Sequence, residues 1–306
     1  MTKCKDIVYC FDDGFTQCTL VSALSAIRHT PSDIKIHLFH GPLADANRTA
    51  VIKFCEAHRE RVFDIDFRDR LPEIGGSHIT KFALARLAVL MNFNKRVLYL
   101  DGDTLIRKDL TELLNTDLGN CAIGAALCPT HLSWWYKSRS SIRPGHHRNS
   151  KVVNERLAAT GLKDLTTYIN SGVLLVDPAR IREINLAGKV SDLTIAASYR
   201  WHDQDHINIL LKDYMHLIDS KFNSIWGNLS FKNSVFPSEL KNAQRLAMTD
   251  PTIIHFAGKQ KPWRLDKVRL GMKIRRLLFR RIELKFINEW LEVRQGLSRK
   301  IDALMQ

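Results

Sequence analysis

Short apolar runs alternate with amphipathic stretches along the first third of the chain. "DIVYCF" (6–11), "IKIHLF" (34–39), "VFDID" (62–66) and "RVLYL" (96–100) are strand-length and rich in Val, Ile, Leu, Phe and Tyr. Between them, 16–29, 43–58 and 79–93 place apolar residues at helical spacing. Strand, helix, strand in this order predicts an α/β fold with a parallel, doubly wound sheet. Further strands are expected at "AIGAAL" (122–127), "GVLLVD" (172–177) and "TIIHF" (252–256), and a helix over 203–213. The stretch 129–151 is rich in Ser, His, Arg, Pro and Gly and predicts a mobile surface loop or small subdomain.

At 306 residues the chain is long enough for one large domain or two small ones. A net charge of +14 changes the picture, because it implies an anionic partner: nucleic acid, an acidic membrane surface or a phosphorylated substrate. Residues 264–306 hold 12 Lys/Arg against 5 Asp/Glu, so half of the excess sits there. A nucleic-acid module would instead interleave basic and aromatic residues across one face. Only "WWYKSRSSIR" (134–143) resembles that, and no nucleic-acid partner is expected. Six cysteines without CxxC pairing read as free thiols in a reducing compartment. The N-terminus shows no apolar signal core, so a cytoplasmic location is expected.

Parallel α/β sheets bind ligands beyond the carboxyl ends of their strands. Asp12 and Asp13 follow the first strand, Asp101 and Asp103 follow "VLYL", and His255 lies within the last. Positions i and i+2 of an extended segment face one side, so Asp101 and Asp103 could share a hard cation, Mn²⁺ or Mg²⁺. A solvated turn is the alternative, since the same spacing recurs at 64/66 and 203/205. Arg86, in the apolar "FALARLAVLM", needs a buried partner: a structural ion pair, bound phosphate or the metal carboxylates. His255 opens "HFAGKQKPW", where Gly258 permits close backbone approach and Lys259 and Lys261 offer charge to a diphosphate. Neither a Walker A motif nor G-x-G-x-x-G is present, which excludes P-loop and dinucleotide sites of those kinds. A metal-dependent phosphohydrolase would also suit strand-end aspartates.

In order, "IVYCFDDGF", "RVLYLDGDTLIRKDL", "YINSGVLLVD", "WHDQDHINILL" and "IIHFAGKQKPW" resemble glycosyltransferase family 8, nearest to bacterial lipopolysaccharide and lipooligosaccharide hexosyltransferases. The resemblance spans about residues 6–263. It implies a GT-A nucleotide-sugar transferase fold, an α/β architecture with a mostly parallel, Rossmann-like sheet. It also implies a UDP-sugar donor, Mn²⁺ and retention of anomeric configuration. By position, Asp101, Asp103 and His255 look like metal ligands. Asp12, Phe15, Arg86, Gly258 and Lys261 look like donor-binding residues. Asn170, Asp203 and Gln204 look like the catalytic residues around the sugar. Gly14 and Cys128 depart from the pattern, standing where relatives commonly carry Asn and Asp. A nucleotide-sugar-binding protein without turnover is the reading those departures keep open.

Acceptor contacts are expected in 129–160 and 221–250. Residues 1–263 are expected to form the catalytic domain and 264–306 a basic helical tail. Over 270–291, Ile274, Leu278, Ile282, Phe286 and Trp290 recur every fourth residue among arginines and lysines. That pattern suits either an anionic membrane surface or packing on the catalytic domain. On the membrane reading the enzyme is peripheral on the cytoplasmic face, its acceptor is lipid-linked, and the tail can be removed without loss of UDP binding.

Overall fold

The computed structural model describes residues 5–30, 33–67, 81–140, 146–226, 236–258, 261–263 and 281–303. Its strands are β1 (Asp6–Phe11), β2 (Lys35–His40), β3 (Val62–Asp66), β4 (Val97–Leu100), β5 (Thr104–Ile106), β6 (Ile123–Leu127), β7 (Ile169–Val176), β8 (Met215–Leu217), β9 (Ser224–Ile225) and β10 (Ile253–His255). The helices of the first half are α1 (Thr16–His29), α2 (Asp45–Ala57), α3 (Lys81–Leu90), α4 (Thr111–Leu114), α5 (Pro129–Ser138) and α6 (His146–Thr160). Those of the second are α7 (Pro178–Glu183), α8 (Ala187–Val190), α9 (Leu193–Ser198), α10 (His202–Leu210), α11 (Ser238–Thr249) and α12 (Arg281–Ala303).

Seven strands form one sheet in the order β3-β2-β1-β4-β7-β6-β8. Its pairs are parallel except β4–β7 and β6–β7, so the sheet is mostly parallel, as the alternation predicts. β4 is buried at all four positions, because helices cover both faces. One face packs Leu20, Leu24 and Leu98 with α12 residues. The other packs Leu84, Leu87 and Tyr99 with Leu193 and Ile207.

Three expectations are corrected. First, β10 lies outside the main sheet. It pairs antiparallel with β5 and parallel with β9 in a separate three-stranded sheet. Second, much of 129–151 is helical, so of the two expectations the small subdomain holds and the surface loop does not. Pro129 opens α5, where its missing N–H costs nothing. Trp134 and Trp135 on α5, Val153 and Leu157 on α6, and Leu165 and Tyr168 form a small core of their own. Third, the described part of the tail's apolar stripe already has a partner within the protein. Phe286, Ile287, Trp290, Val293 and Leu297 are buried in the same core as α1, so these side chains are not available to a membrane. Residues 264–280 lie outside the described residues.

His40, at the end of β2, is buried with an acceptor at each ring nitrogen. Gly41 O is 2.6 Å from Nδ1 and Asp64 Oδ1 is 2.8 Å from Nε2. Only the imidazolium satisfies both. Burial opposes the charge, but Asp64, Gly41 O and Asp66 raise the group above its ordinary 6.5. This stabilisation is therefore complete below the unfolded value and is lost as pH rises through the higher folded one. His40→Asn should destabilise the protein by on the order of 1 kcal/mol at acid pH, with the gap narrowing toward alkaline pH. Urea denaturation of both proteins across that range checks it; a pH-independent gap would contradict the charged form.

Candidate active site

The chain leaves β4 and turns at once. Thr104 N donates to Asp101 O at 3.2 Å, closing a β-turn over Asp101, Gly102 and Asp103. The two carboxylates thus converge through a turn, and not along an extended strand as the sequence argument held. A side chain at Gly102 would collide with Thr19, its Cβ lying 2.1 Å from Oγ1. Glycine is what lets the turn sit against α1. β5 then pairs with β10, with Thr104 opposite His255. That register carries the imidazole to the carboxylates. His255 Nε2 lies 3.2 Å from Asp103 Oδ1 and 3.6 Å from Asp101 Oδ2.

Ligand atoms of Asp101, Asp103 and His255 all fall within 4.8 Å of one another. Two hard carboxylates and one imidazole fit Mn²⁺ or Mg²⁺. Asn223 Oδ1 sits 2.9 Å from His255 Nδ1, which fixes a proton on Nδ1 and leaves Nε2 as the atom that would ligate a metal. Asp101 Oδ1 is held by Tyr99 OH and Arg86 Nη1, each at 2.7 Å, which leaves Oδ2 facing the cluster. Gly172 provides the space, because a Cβ there would lie 2.2 Å from His255 Cε1 and 2.9 Å from Asp101 Oδ2.

Lys261 donates to Asp103 and, at 2.7 Å, to Phe256 O. Burial pushes the Asp103 carboxyl up, but His255 and Lys261 outweigh it and hold the group well below the carboxylate range. Gly258 has φ +88°, a backbone conformation that favours glycine. Asp12 and Phe15 line a cavity of about 170 Å³ together with Arg86, Asp101, Asp103 and Cys10. Burial pushes the Cys10 thiol up to about 12, leaving it neutral and unreactive.

Arg86 resolves as a bridge between carboxylates. Besides Asp101 it approaches Asp203, with Nε 3.6 Å from Oδ2. Burial raises the Asp203 carboxyl despite Arg86, and its buried Oδ2 accepts no hydrogen bond among the described residues. Gln204 Oε1 accepts from Asn170 Nδ2 at 2.9 Å, and Asn170 Oδ1 accepts from Asn223 Nδ2 at 2.9 Å. An unbroken amide chain therefore runs from His255 through Asn223 and Asn170 to Gln204. Asn170, Asp203 and Gln204 do meet in space, next to the carboxylate–imidazole cluster. Asn223 and Tyr99 are the functional residues missed by the sequence argument.

At Cys128 the thiol lies 3.1 Å from His131 Nδ1 and within reach of the Gln204 amide. Burial pushes the thiol up to about 11. Burial, with Arg156 nearby, takes the imidazole down to about 3. The pair is thus a neutral thiol and a neutral ring, without the thiolate a nucleophile needs.

A carboxylate–imidazole cluster suited to a cation, beside the cavity that Asp12 and Phe15 line on a mostly parallel sheet, accords with the GT-A glycosyltransferase fold. Residues 6–267 match the model of Glycosyl transferase family 8, and the chain belongs to that family. It is 25% identical to General stress protein A of Bacillus subtilis, covering 84% of this chain and 86% of that protein. It is 24% identical to the lipopolysaccharide glucosyltransferase WaaO of Escherichia coli, covering 85% of this chain and 73% of WaaO. Among solved structures it resembles the galactosyltransferase LgtC in complex with donor and acceptor sugar analogs. The TM-score is 0.67 and the identity 24%, with 96% of each chain covered.

Proposed function

We propose that the protein transfers a hexose, galactose or glucose, from UDP to a saccharide or lipid-linked saccharide acceptor of the lipopolysaccharide-core type, with retention. The observation that carries this reading is the amide chain joining the Asp101–Asp103–His255 cluster to Gln204, beside Asp203. It couples a diphosphate-binding cation to residues suited to a sugar ring. Asp101, Asp103 and His255 would hold Mn²⁺, which would supply positive charge for the departing diphosphate. Lys261, released from Asp103, and the Lys261–Trp263 turn add charge on the phosphate side. Asp12 and Phe15 bind the uracil and ribose end. Asp203 Oδ2 accepts from a sugar hydroxyl, and Gln204 orients the ring.

Retention by double displacement needs a carboxylate nucleophile at the sugar. Gln204 is a poor one, and Asp203 is engaged by Arg86. The acceptor hydroxyl therefore attacks on the face that UDP leaves, its proton passing to the leaving phosphate. Residues 264–280, with seven arginines and lysines to one aspartate, extend this reading to a peripheral place on an anionic cytoplasmic membrane face.

A panel of UDP-sugars incubated with the protein, with and without Mn²⁺, tests the assignment. The expected result is Mn²⁺-dependent UDP release from one hexose donor, stimulated by a saccharide acceptor, with no glycosyl adduct on Asp203. Release of inorganic phosphate instead would establish a phosphohydrolase. Binding of UDP-sugar without release under any condition would establish a binding protein.

A further inference from the structure

We propose that the α5–α6 hairpin docks the acceptor through negative charge carried away from the sugar being extended, so that the acceptor is an anionic oligosaccharide. This rests on the transferase reading above and adds the acceptor's chemical class. The hairpin grows out of the sugar site itself: Cys128 ends the β6 side and Asn170 begins the β7 side. Its base is fixed. Arg156 Nη1 donates to Asp205 Oδ2 at 2.9 Å, and Tyr168 OH also donates to Asp205, next to Gln204.

An aromatic surface rises from this base. His131 stacks on Tyr168 with ring centroids 4.0 Å apart. Trp134 lies 4.9 Å from His131 and 6.2 Å from Trp201, a residue 40% exposed. An exposed indole beside a sugar site offers a stacking face for a sugar ring.

The far end is basic. Among the described residues it holds Lys137, Arg139, Arg148 and Lys151 against Glu155. Arg139, Arg148 and Lys151 are exposed, as is Arg200 beside Trp201. Two acids oppose them: Glu155 is 4.0 Å from Lys151, and Asp164 acts on Arg139. The ten residues of α5 span about 15 Å, which sets the distance from Cys128 to the cations at the tip. Negative charge read there belongs to a neighbouring unit of the acceptor, not to the sugar receiving the hexose. A membrane-seeking surface would pair such cations with exposed aliphatic side chains. Among the described residues the hairpin exposes no large hydrophobic side chain.

The probe is core oligosaccharide released from lipopolysaccharide, used native, phosphatase-treated, carboxyl-reduced and treated both ways. Binding is followed by calorimetry for the wild type and for Arg139→Gln/Arg148→Gln/Lys151→Gln. Wild type should bind the native form at least about fivefold tighter than the doubly treated form, and lose that margin between low and high salt. The triple variant should show no margin, with its melting temperature and acceptor-independent UDP release unchanged. Loss of the margin on phosphatase treatment assigns phosphate, and loss on carboxyl reduction assigns sugar carboxylate. Equal binding of native and doubly treated forms by the wild type overturns the proposal. So does a variant that loses only its binding to phosphatidylglycerol vesicles. Failure of UDP release from every donor would defeat the transferase reading separately, leaving the binding result to stand or fall alone.

Discussion

Asp103→Asn is expected to lower Mn²⁺-dependent UDP release by at least about a thousandfold. Three roles meet on this carboxylate. One oxygen faces the Asp101–His255 cluster and the other takes the Lys261 ammonium. Its backbone carbonyl accepts from Phe256 N at 2.9 Å, which ties the turn to the chain just beyond β10. Asn keeps the shape and that backbone bond but removes the charge. A cation then has Asp101 as its only carboxylate ligand in the cluster, while Lys261 loses its buried counter-ion. Stability without metal should therefore fall as well, by about 3–5 kcal/mol, since one partner of a buried pair is removed. The pH dependence separates this from a packing defect. The Asp103 carboxyl is held low, so its stabilisation is present above its unfolded value near 3.8 and is lost only as pH falls through the lower folded value. The stability gap between wild type and variant should be flat through neutral pH and close in acid. Urea denaturation in a chelator, paired with UDP release over a Mn²⁺ titration, reads both effects. A variant that still releases UDP at the wild-type rate would remove Asp103 from the metal site.

Why one part of this site could be read from sequence and another could not follows from range. Asp101 and Asp103 are neighbours in the chain and end an apolar strand, so they stood out. Their convergence comes from a turn at Gly102, packed against Thr19, and not from extended-strand geometry. Arg86 stood out as a charge in an apolar helix, and burial beside Asp101 and Asp203 explains it. His255 was legible as a polar group near the same crevice, but its place as a metal ligand came only from resemblance, since it reaches the aspartates through the antiparallel register of β10 with β5. Nothing local encodes that pairing between distant segments. Asn223 had no local signal at all. It precedes a two-residue strand in a segment assigned to acceptor loops, and its role comes entirely from partners at 170 and 255. In 129–151 a polar composition hid two helices, because a few aromatic and aliphatic positions suffice to bury one face of each. Pro129 ahead of "THLSWWY" was the signal that could have marked the first of them.

The tail shows the same limit in reverse, because an amphipathic stripe does not say what it covers. Trp290→Ala is expected to destabilise the protein by about 3–5 kcal/mol and to weaken UDP binding. Trp290 is fully buried, with its ring centroid 5.3 Å from that of Trp263. Trp263 in turn meets Phe15 edge-on at 6.4 Å, and Lys261 Nζ lies 5.8 Å from the centroid of each of those two rings. The helix therefore buttresses the turn that carries Lys261 and the aromatic assigned to the base. A second route runs through Arg107, which directly follows β5. Its guanidinium clamps Glu289 and lies 4.7 Å from the Phe286 ring centroid. Loss of the indole should loosen the Lys261–Trp263 turn even in molecules that stay folded, so the affinity defect should persist well below the melting temperature. Trp290→Phe, which keeps much of the packing, should recover most of both. Deleting 264–306 should abolish UDP binding, the opposite of what a separable membrane tail predicts. Calorimetric titration with UDP and Mn²⁺, set beside thermal denaturation, distinguishes the two. A truncated protein that binds UDP as the full chain does would mean that α12 only covers α1 and has no part in holding the donor.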